Sequence, residues 1–445
     1  MHGISVSLWH KIQSKRMQRE KLDELLAWKT SLLRKPLIVR GARQVGKTWI
    51  LKEFGRTSYK QVAYINFEDS TNLKSLFIND FNIERIIGVL EIQTQTIINA
   101  DDTLIILDEI QEAERGVTVL KYFCENAPQY HVVAAGSLLG IALHQQSSFP
   151  VGKVDFMDLH PMSFSEFLLA LGEQQLVKVL KDKQWDTLTI FKDKLTNYLK
   201  YYFFVGGLPE VVDTYIQTKD WQKVRYVQNR ILLSYQGDFS KHAPHAIVPR
   251  IQMVWQSIVS QLAKENKKFV YGAIREGARA KDFEIAIQWL TDCGLLVKCH
   301  RITKPEMPLL AFQDLTAFKL FLHDIGLLTA MSGIDIKSLI DGNSLFMQYN
   351  GGLVEQFVMQ HLILKKDRYI GYWTNDRNTS EVDFVIQENS RIIPIEVKSG
   401  ENLKAKSFKL FCEKFKPETA IRTSLADYKP ETWMTNIPLW GIETV

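Results

Sequence analysis

Leu37-Ile38-Val39-Arg40-Gly41-Ala42-Arg43-Gln44-Val45-Gly46-Lys47-Thr48 is a short apolar run that breaks into a glycine-bounded loop and then into a helical pattern over 49–54. A continuous apolar run of this kind reads as a strand buried on both faces, which is how parallel sheets are written in sequence. The loop fits G-x-x-x-x-G-K-[ST] in full, and its position between a strand and a helix is the context the motif requires. Its glycines let successive backbone N–H groups curl around a phosphate at the positive end of a helix dipole. Lys47 can then reach the outer phosphate oxygens, and Thr48 offers a hydroxyl to Mg²⁺. Gly41, Ala42, Arg43, Gln44, Val45, Gly46, Lys47 and Thr48 are therefore expected to hold ATP with Mg²⁺.

Outward from this loop, similar apolar runs recur at 61–67, 103–107 and 131–135, separated by helical patterns. Strands alternating with helices predict an α/β domain with a parallel sheet. The run Leu104-Ile105-Ile106-Leu107 ends in Asp108-Glu109, a hydrophobic strand delivering two carboxylates. Asp108 is expected to steady Mg²⁺, and Glu109 to polarise the attacking water. A further strand ends in Ala135-Gly136-Ser137. Ser137, with Lys47 and Glu109, completes the expected catalytic set, its hydroxyl placed for the γ-phosphate or the water. Upstream, apolar positions at helical spacing over 11–33 predict an amphipathic lead-in that Pro36 stops.

After about residue 156 the pattern turns mainly helical, over 163–171, 176–180 and 191–203, before the break Gly206-Gly207-Leu208-Pro209. This segment is expected to form a helical lid. Helices over 251–265, 271–276 and 282–293, followed by strands at 295–301 and 319–323, have the order of a winged helix. The helix at 282–293 carries Asp282, Glu284 and Asp292, poor chemistry against phosphates, so a connecting role is favoured over base readout.

The last hundred residues read as a helix over 352–365, strands at 370–374, 381–386 and 392–398, and a helix over 404–415. Period-two alternation puts Glu381 and Asp383 on one face, and Glu396 and Lys398 on one face. Paired carboxylates on adjacent strands can bind Mg²⁺ or Mn²⁺ and so activate water against a phosphodiester, with a nearby lysine to orient it. Asp383 and Glu396 are the expected ligands, supported by Lys398 and by Glu355 on the preceding helix. Pro394 suits a strand start or a bulge better than a central strand.

The length of 445 residues predicts two or three domains. Ordinary composition excludes a disordered, collagenous or coiled-coil chain. Four cysteines are too few for a disulfide framework, which points to a reducing, cytoplasmic setting. No run reaches the roughly 18 apolar residues of a spanning helix, so no membrane partner is expected. A net charge of +5 permits DNA without demanding it.

Residues 40–48, 64–68, 107–111, 136–137, 159–167 and 206–210 together resemble the AAA-type ATPase module of many bacterial and archaeal proteins. Where that family shows Gly-Arg ahead of a Pro-containing strand, this chain has Gly152-Lys153. Glu355, Asp383 and Glu396-x-Lys398 resemble the PD-(D/E)xK nuclease fold. Together with Lys319-x-Phe321-x-x-Asp324 and Tyr372-Trp373, they are similar to a C-terminal domain of unknown function that follows such modules. The resemblance implies an AAA+ P-loop domain with a parallel sheet and helical lid over 1–240. A winged-helix-like connector over 241–345 and a restriction-endonuclease-like α/β domain over 346–445 would follow. DNA is a candidate partner of the C-terminal carboxylates, with a homo-oligomer or a protein partner as the further expectation, and the resemblance itself does not choose among them. An alternative is a nucleotide-switched scaffold whose nuclease-like domain is inactive.

Overall fold

The computed structural model describes residues 17–137, 139–140, 150–263, 268–340, 350–375, 380–400 and 406–445. Residues 11–16 of the expected lead-in, and 404–405 at the start of the last expected helix, lie outside these. The chain forms two compact units, Met1–Pro161 with Asp292–Gly294, and Met162–Thr291 with Leu295–Val445.

In the first unit, α1 (Lys21–Thr30) precedes five strands: β1 (Leu37–Arg40), β2 (Gln61–Asn66), β3 (Thr103–Asp108), β4 (His131–Ala135) and β5 (Asp155–Asp158). All pair in parallel, in the order β2-β3-β4-β1-β5. The crossovers carry α2 (Lys47–Ser58), α3 (Ile83–Thr94) and α4 (Gly116–Asn126). β3 and β4 are buried along their whole length, as their unbroken apolar runs demand. Parallel pairing brings the loops after β1, β3 and β4 out at the same end of the sheet.

The second unit begins with the helices α5 (Phe164–Ala170), α6 (Gln174–Lys181), α7 (Trp185–Ile190), α8 (Lys192–Val205), α9 (Pro209–Thr218) and α10 (Trp221–His242). The helices expected as a lid therefore pack with the C-terminal half. The N-terminus of α5 is closed from distant parts of the chain. Ser163 and Glu166 form a reciprocal capping box. In addition, the Phe164 N–H donates to His361 Nε2 at 3.0 Å and the Ser165 N–H to Glu443 Oε1 at 2.9 Å.

Then come α11 (Val248–Leu262), α12 (Ala280–Asp292), the hairpin β6 (Leu296–Ile302) and β7 (Gln313–Leu322), α13 (Ile325–Met331) and α14 (Ile336–Ile340). α15 (Asn350–Leu362) leads into β8 (Tyr369–Thr374), β9 (Glu381–Glu388) and β10 (Arg391–Val397), followed by α16 (Lys406–Phe415), β11 (Ile421–Ser424), β12 (Lys429–Pro430) and β13 (Thr435–Pro438). These strands make one sheet in the order β12-β13-β11-β10-β9-β8-β6-β7.

The hairpin expected as the wing of a winged helix is instead one edge of this sheet, because β6 pairs in parallel with β8. A solvated wing alternates, whereas β7 is buried at every position from Ala317 to Leu322. Pro394 sits within β10 opposite Val385, not at a strand start. It is tolerated there because β11 joins only from Ile395 onward, so the missing N–H faces no second partner.

Asp324 caps α13 and is fully buried. Its carboxylate accepts from the Leu327 N–H at 2.9 Å and the Gly207 N–H at 2.7 Å. Gly206 passes so close that a Cβ there would lie 2.2 Å from Asp324 Oδ1.

Candidate functional site

The loop between β1 and α2 takes up the conformations its glycines allow. Gly41 has φ +147°, Gln44 +69° and Gly46 +93°. A Cβ on Gly41 would stand 2.2 Å from the Leu159 carbonyl oxygen, so only glycine fits. Lys47 opens α2 and is buried, its ammonium donating to the Gly41 carbonyl at 2.7 Å and the Ala42 carbonyl at 2.8 Å. Burial pushes this ammonium down to about 8, against the pull of Glu109 and Asp108 and with the push of Arg43.

The adjoining strand ends supply the rest. The Thr48 hydroxyl donates to Asp108 Oδ2 at 2.7 Å, and the Tyr64 hydroxyl donates to the same oxygen at 3.0 Å. Burial together with Asp108 pushes the Tyr64 phenol up, so it remains a donor. Asp108 Oδ1 accepts from the Glu109 N–H at 3.1 Å. Glu109 sits at φ +49°, which turns its side chain out of the strand line. Its Oε2 accepts from Gln111 Nε2 at 2.5 Å, the Ser137 N–H at 3.2 Å and the Ser137 hydroxyl at 3.3 Å. Arg43 Nε in turn donates to Ser137 Oγ at 3.2 Å. Lys47, Thr48, Asp108, Glu109, Ser137 and Arg43 are thus brought into one linked group. A hydroxyl and a carboxylate oxygen 2.7 Å apart form a hard-oxygen donor set that suits Mg²⁺.

Three residues around this group escape the sequence reading. Tyr64 and Gln111 stand inside stretches singled out for other reasons. The parallel pairing of Asn66 with Asp108 is what brings β2 beside the acidic strand end. Arg19 has no sequence signal at all. It is buried before α1 and donates to the Val45 carbonyl at 2.9 Å and the His160 carbonyl at 2.6 Å, bracing the loop from behind. Lys153, at the departure from the family pattern, pairs with Glu125 at 2.9 Å.

In the second unit the expected carboxylates also converge, but on lysines. The β9–β10 ladder ends with Ile395 opposite Phe384, and Asp383 and Glu396 lie immediately beyond that last pair. Asp383 Oδ2 accepts from the Val397 N–H at 2.7 Å, and Glu396 Oε1 from Lys398 Nζ at 2.5 Å. Glu396 Oε2 is buried without a hydrogen-bond partner. Burial pushes the Glu396 carboxyl above the usual carboxylate range, against the opposing pull of Lys398.

Lys319 on β7 is fully buried and bonds Glu355 Oε2 at 3.2 Å and Glu381 Oε1. Burial alone would lower its ammonium, but Glu355, Glu381 and Asp383 outweigh that and hold it well above the ordinary lysine value. Among the described residues, no group of three or more His, Cys, Asp or Glu side chains is placed to hold a metal ion. Asp383 and Glu396, the expected metal pair, are thus two carboxylates without a third such side chain among the described residues placed beside them to complete a metal-binding group.

Residues 33–168 match a family model described as an AAA domain. Residues 196–338 and 350–441 match two domains of unknown function, DUF8612 and DUF4143. No curated protein matches the chain. Among solved structures, the Walker-type ATPase PABY2304 of Pyrococcus abyssi aligns at 13% identity and TM-score 0.45, over 71% of this chain and 96% of its own. The Aeropyrum pernix ORC1 protein in complex with DNA aligns at 12% and 0.30, over 72% and 93%. Cdc6p from Pyrobaculum aerophilum aligns at 11% and 0.25, over 74% and 95%. The family match, the complete phosphate-loop motif and the all-parallel sheet make the first unit an AAA-type P-loop domain. No helix among the described residues is long and apolar enough to cross a membrane.

Proposed function

We propose that the chain is an AAA-type ATPase that binds ATP at the loop 41–48 and hydrolyses it with Mg²⁺. The observation that carries this reading is the continuous link from Thr48, in the first turn of α2, through Asp108 to Glu109 and Ser137 at the ends of the adjacent strands β3 and β4. The ion would be held by Thr48 and Asp108, where it would offset charge on the phosphates. Lys47 turns its ammonium from the Gly41 and Ala42 carbonyls to phosphate oxygens. Glu109 takes the proton of the attacking water, oriented by Ser137 and Gln111. Measurement of ATP turnover tests this: Glu109→Gln should bind ATP yet turn it over about 10²-fold or more slowly. Wild-type protein that neither binds nor hydrolyses ATP would end the proposal.

The C-terminal half is read as the effector of the ATPase, with its nuclease-like carboxylates serving a binding rather than a cutting domain. Lys319 between Glu355 and Glu381 favours this scaffold over the nuclease alternative. DNA is the proposed target, bound in the cytoplasm, with self-association or a protein partner completing the assembly. Incubating linear and branched DNA with Mg²⁺ or Mn²⁺ separates the two readings. Cleavage that disappears in Asp383→Ala and Lys398→Ala would restore the nuclease.

A further inference from the structure

We infer that Lys319 is the built-in cation of the Glu355 and Glu381 side of the C-terminal carboxylate cluster, and that it keeps a divalent metal ion out of the cluster. This inference is independent of the ATPase reading. An ammonium offers three donors and no acceptor, so it answers carboxylates as a metal does while blocking one from approaching. Lys319 has no solvent exposure and meets both acids at bonding distance, Glu355 nearly buried and Glu381 partly open to water. The face of the Tyr372 ring, 4.9 Å from Nζ, closes another side. Glu396, on the other side of the cluster, is answered by Lys398 at 2.5 Å. A dication coordinated by Glu355 or Glu381 would lie within a few ångströms of this ammonium, where repulsion in a buried setting is severe.

The source of the cation matters as much as its position. Lys319 belongs to the segment 196–338, whereas Glu355, Glu381, Asp383 and Glu396 belong to 350–441. Two segments matched by separate family models thus share one buried ion cluster, the first supplying a cation and the second the carboxylates it bonds. Each would be electrostatically incomplete without the other.

Mn²⁺ uptake by the full-length, nucleotide-free chain, followed by its spin-resonance signal, tests the inference. An Asp108→Asn background silences the phosphate site. At about 1 mM free Mn²⁺, the weak end of protein divalent sites, the chain with Lys319 intact should take up none. Adding Lys319→Ala should create one site, and adding Glu355→Gln should remove it. Uptake by the Lys319 protein that Glu396→Gln or Asp383→Asn abolishes would overturn the inference. So would a folded Lys319→Ala protein that takes up none. Should Lys319→Ala not fold, the neutral triple variant Lys319→Met, Glu355→Gln, Glu381→Gln decides. The inference requires it to fold with a melting temperature near that of wild type, and its failure to fold would show that the lysine does something other than balance these acids.

Discussion

Replacing Lys47 with Met should separate binding from stability. The structure puts the Lys47 ammonium at about 8 rather than 10.5, with burial as the main cause. A drop of about 2.5 units corresponds to about 3 kcal/mol of folding stability forgone while the group is charged in both states. The sign follows from proton binding. The folded state holds this proton less tightly than the unfolded state, so the whole loss is present below pH 8 and vanishes as pH rises from 8 to 10.5. Methionine keeps most of the side-chain volume and removes the charge. It leaves the Gly41 and Ala42 carbonyls without their Nζ donor, at about 1 kcal/mol each. The balance is a variant more stable than wild type by about 1 kcal/mol at pH 7.5. Urea denaturation without nucleotide reads this difference, and titration with a fluorescent ATP analogue reads the loss of binding. At pH 10 the advantage should disappear. A variant less stable than wild type by about 2 kcal/mol at pH 7.5, or one whose advantage grows toward pH 10, would refute the reasoning.

Asp324→Ala should show a pH-dependent loss. It removes the acceptor of two buried N–H groups, worth about 1–3 kcal/mol each. Burial pushes the Asp324 carboxyl up to about 6, so the folded state binds its proton more tightly and the residue's contribution falls as pH rises from about 4 to about 6. The difference in melting temperature between wild type and variant should therefore be larger at pH 5 than at pH 7.5; the reverse order would count against it. Arg19→Ala should cost about 1–3 kcal/mol by stranding the Val45 carbonyl. It should raise KM for ATP more than it lowers kcat, because the residue braces the loop without reaching the reacting atoms. An unchanged KM in steady-state assays would remove Arg19 from the positioning set.

Much of the first unit can be read from local pattern. β1 to β4 coincide with four apolar runs because strands buried on both faces leave an unbroken signal. β5 escapes because Asp155-Phe156-Met157-Asp158 is short and flanked by acids. β11 and β13 escape because Ile421-Arg422-Thr423-Ser424 and Thr435-Asn436-Ile437-Pro438 are polar yet almost wholly buried. There the Arg422 guanidinium is satisfied by Asn436 at 3.0 Å. Such burial depends on partners far along the chain that periodicity does not register. Lys319 carries the same lesson for the site. The carboxylate pattern was visible in sequence, but the cation that answers it lies in a strand whose apolar neighbours, Phe318 and Leu320, say nothing of its partners.

The closure of α5 has a consequence for how the chain is made. Ser165 and its acceptor Glu443 are 278 residues apart in sequence. A ribosome working at about 5–20 residues per second needs roughly half a minute to span that gap. Throughout that time the first turn of α5 lacks one of its acceptors, while the phosphate-loop unit has nearly all of its own residues by position 161. The first unit can therefore mature during synthesis, whereas the second must wait, with apolar helices exposed, until its last strands emerge. Slowing translation between the two, or withholding chaperones, should trap a folded nucleotide-binding half joined to an unfinished partner.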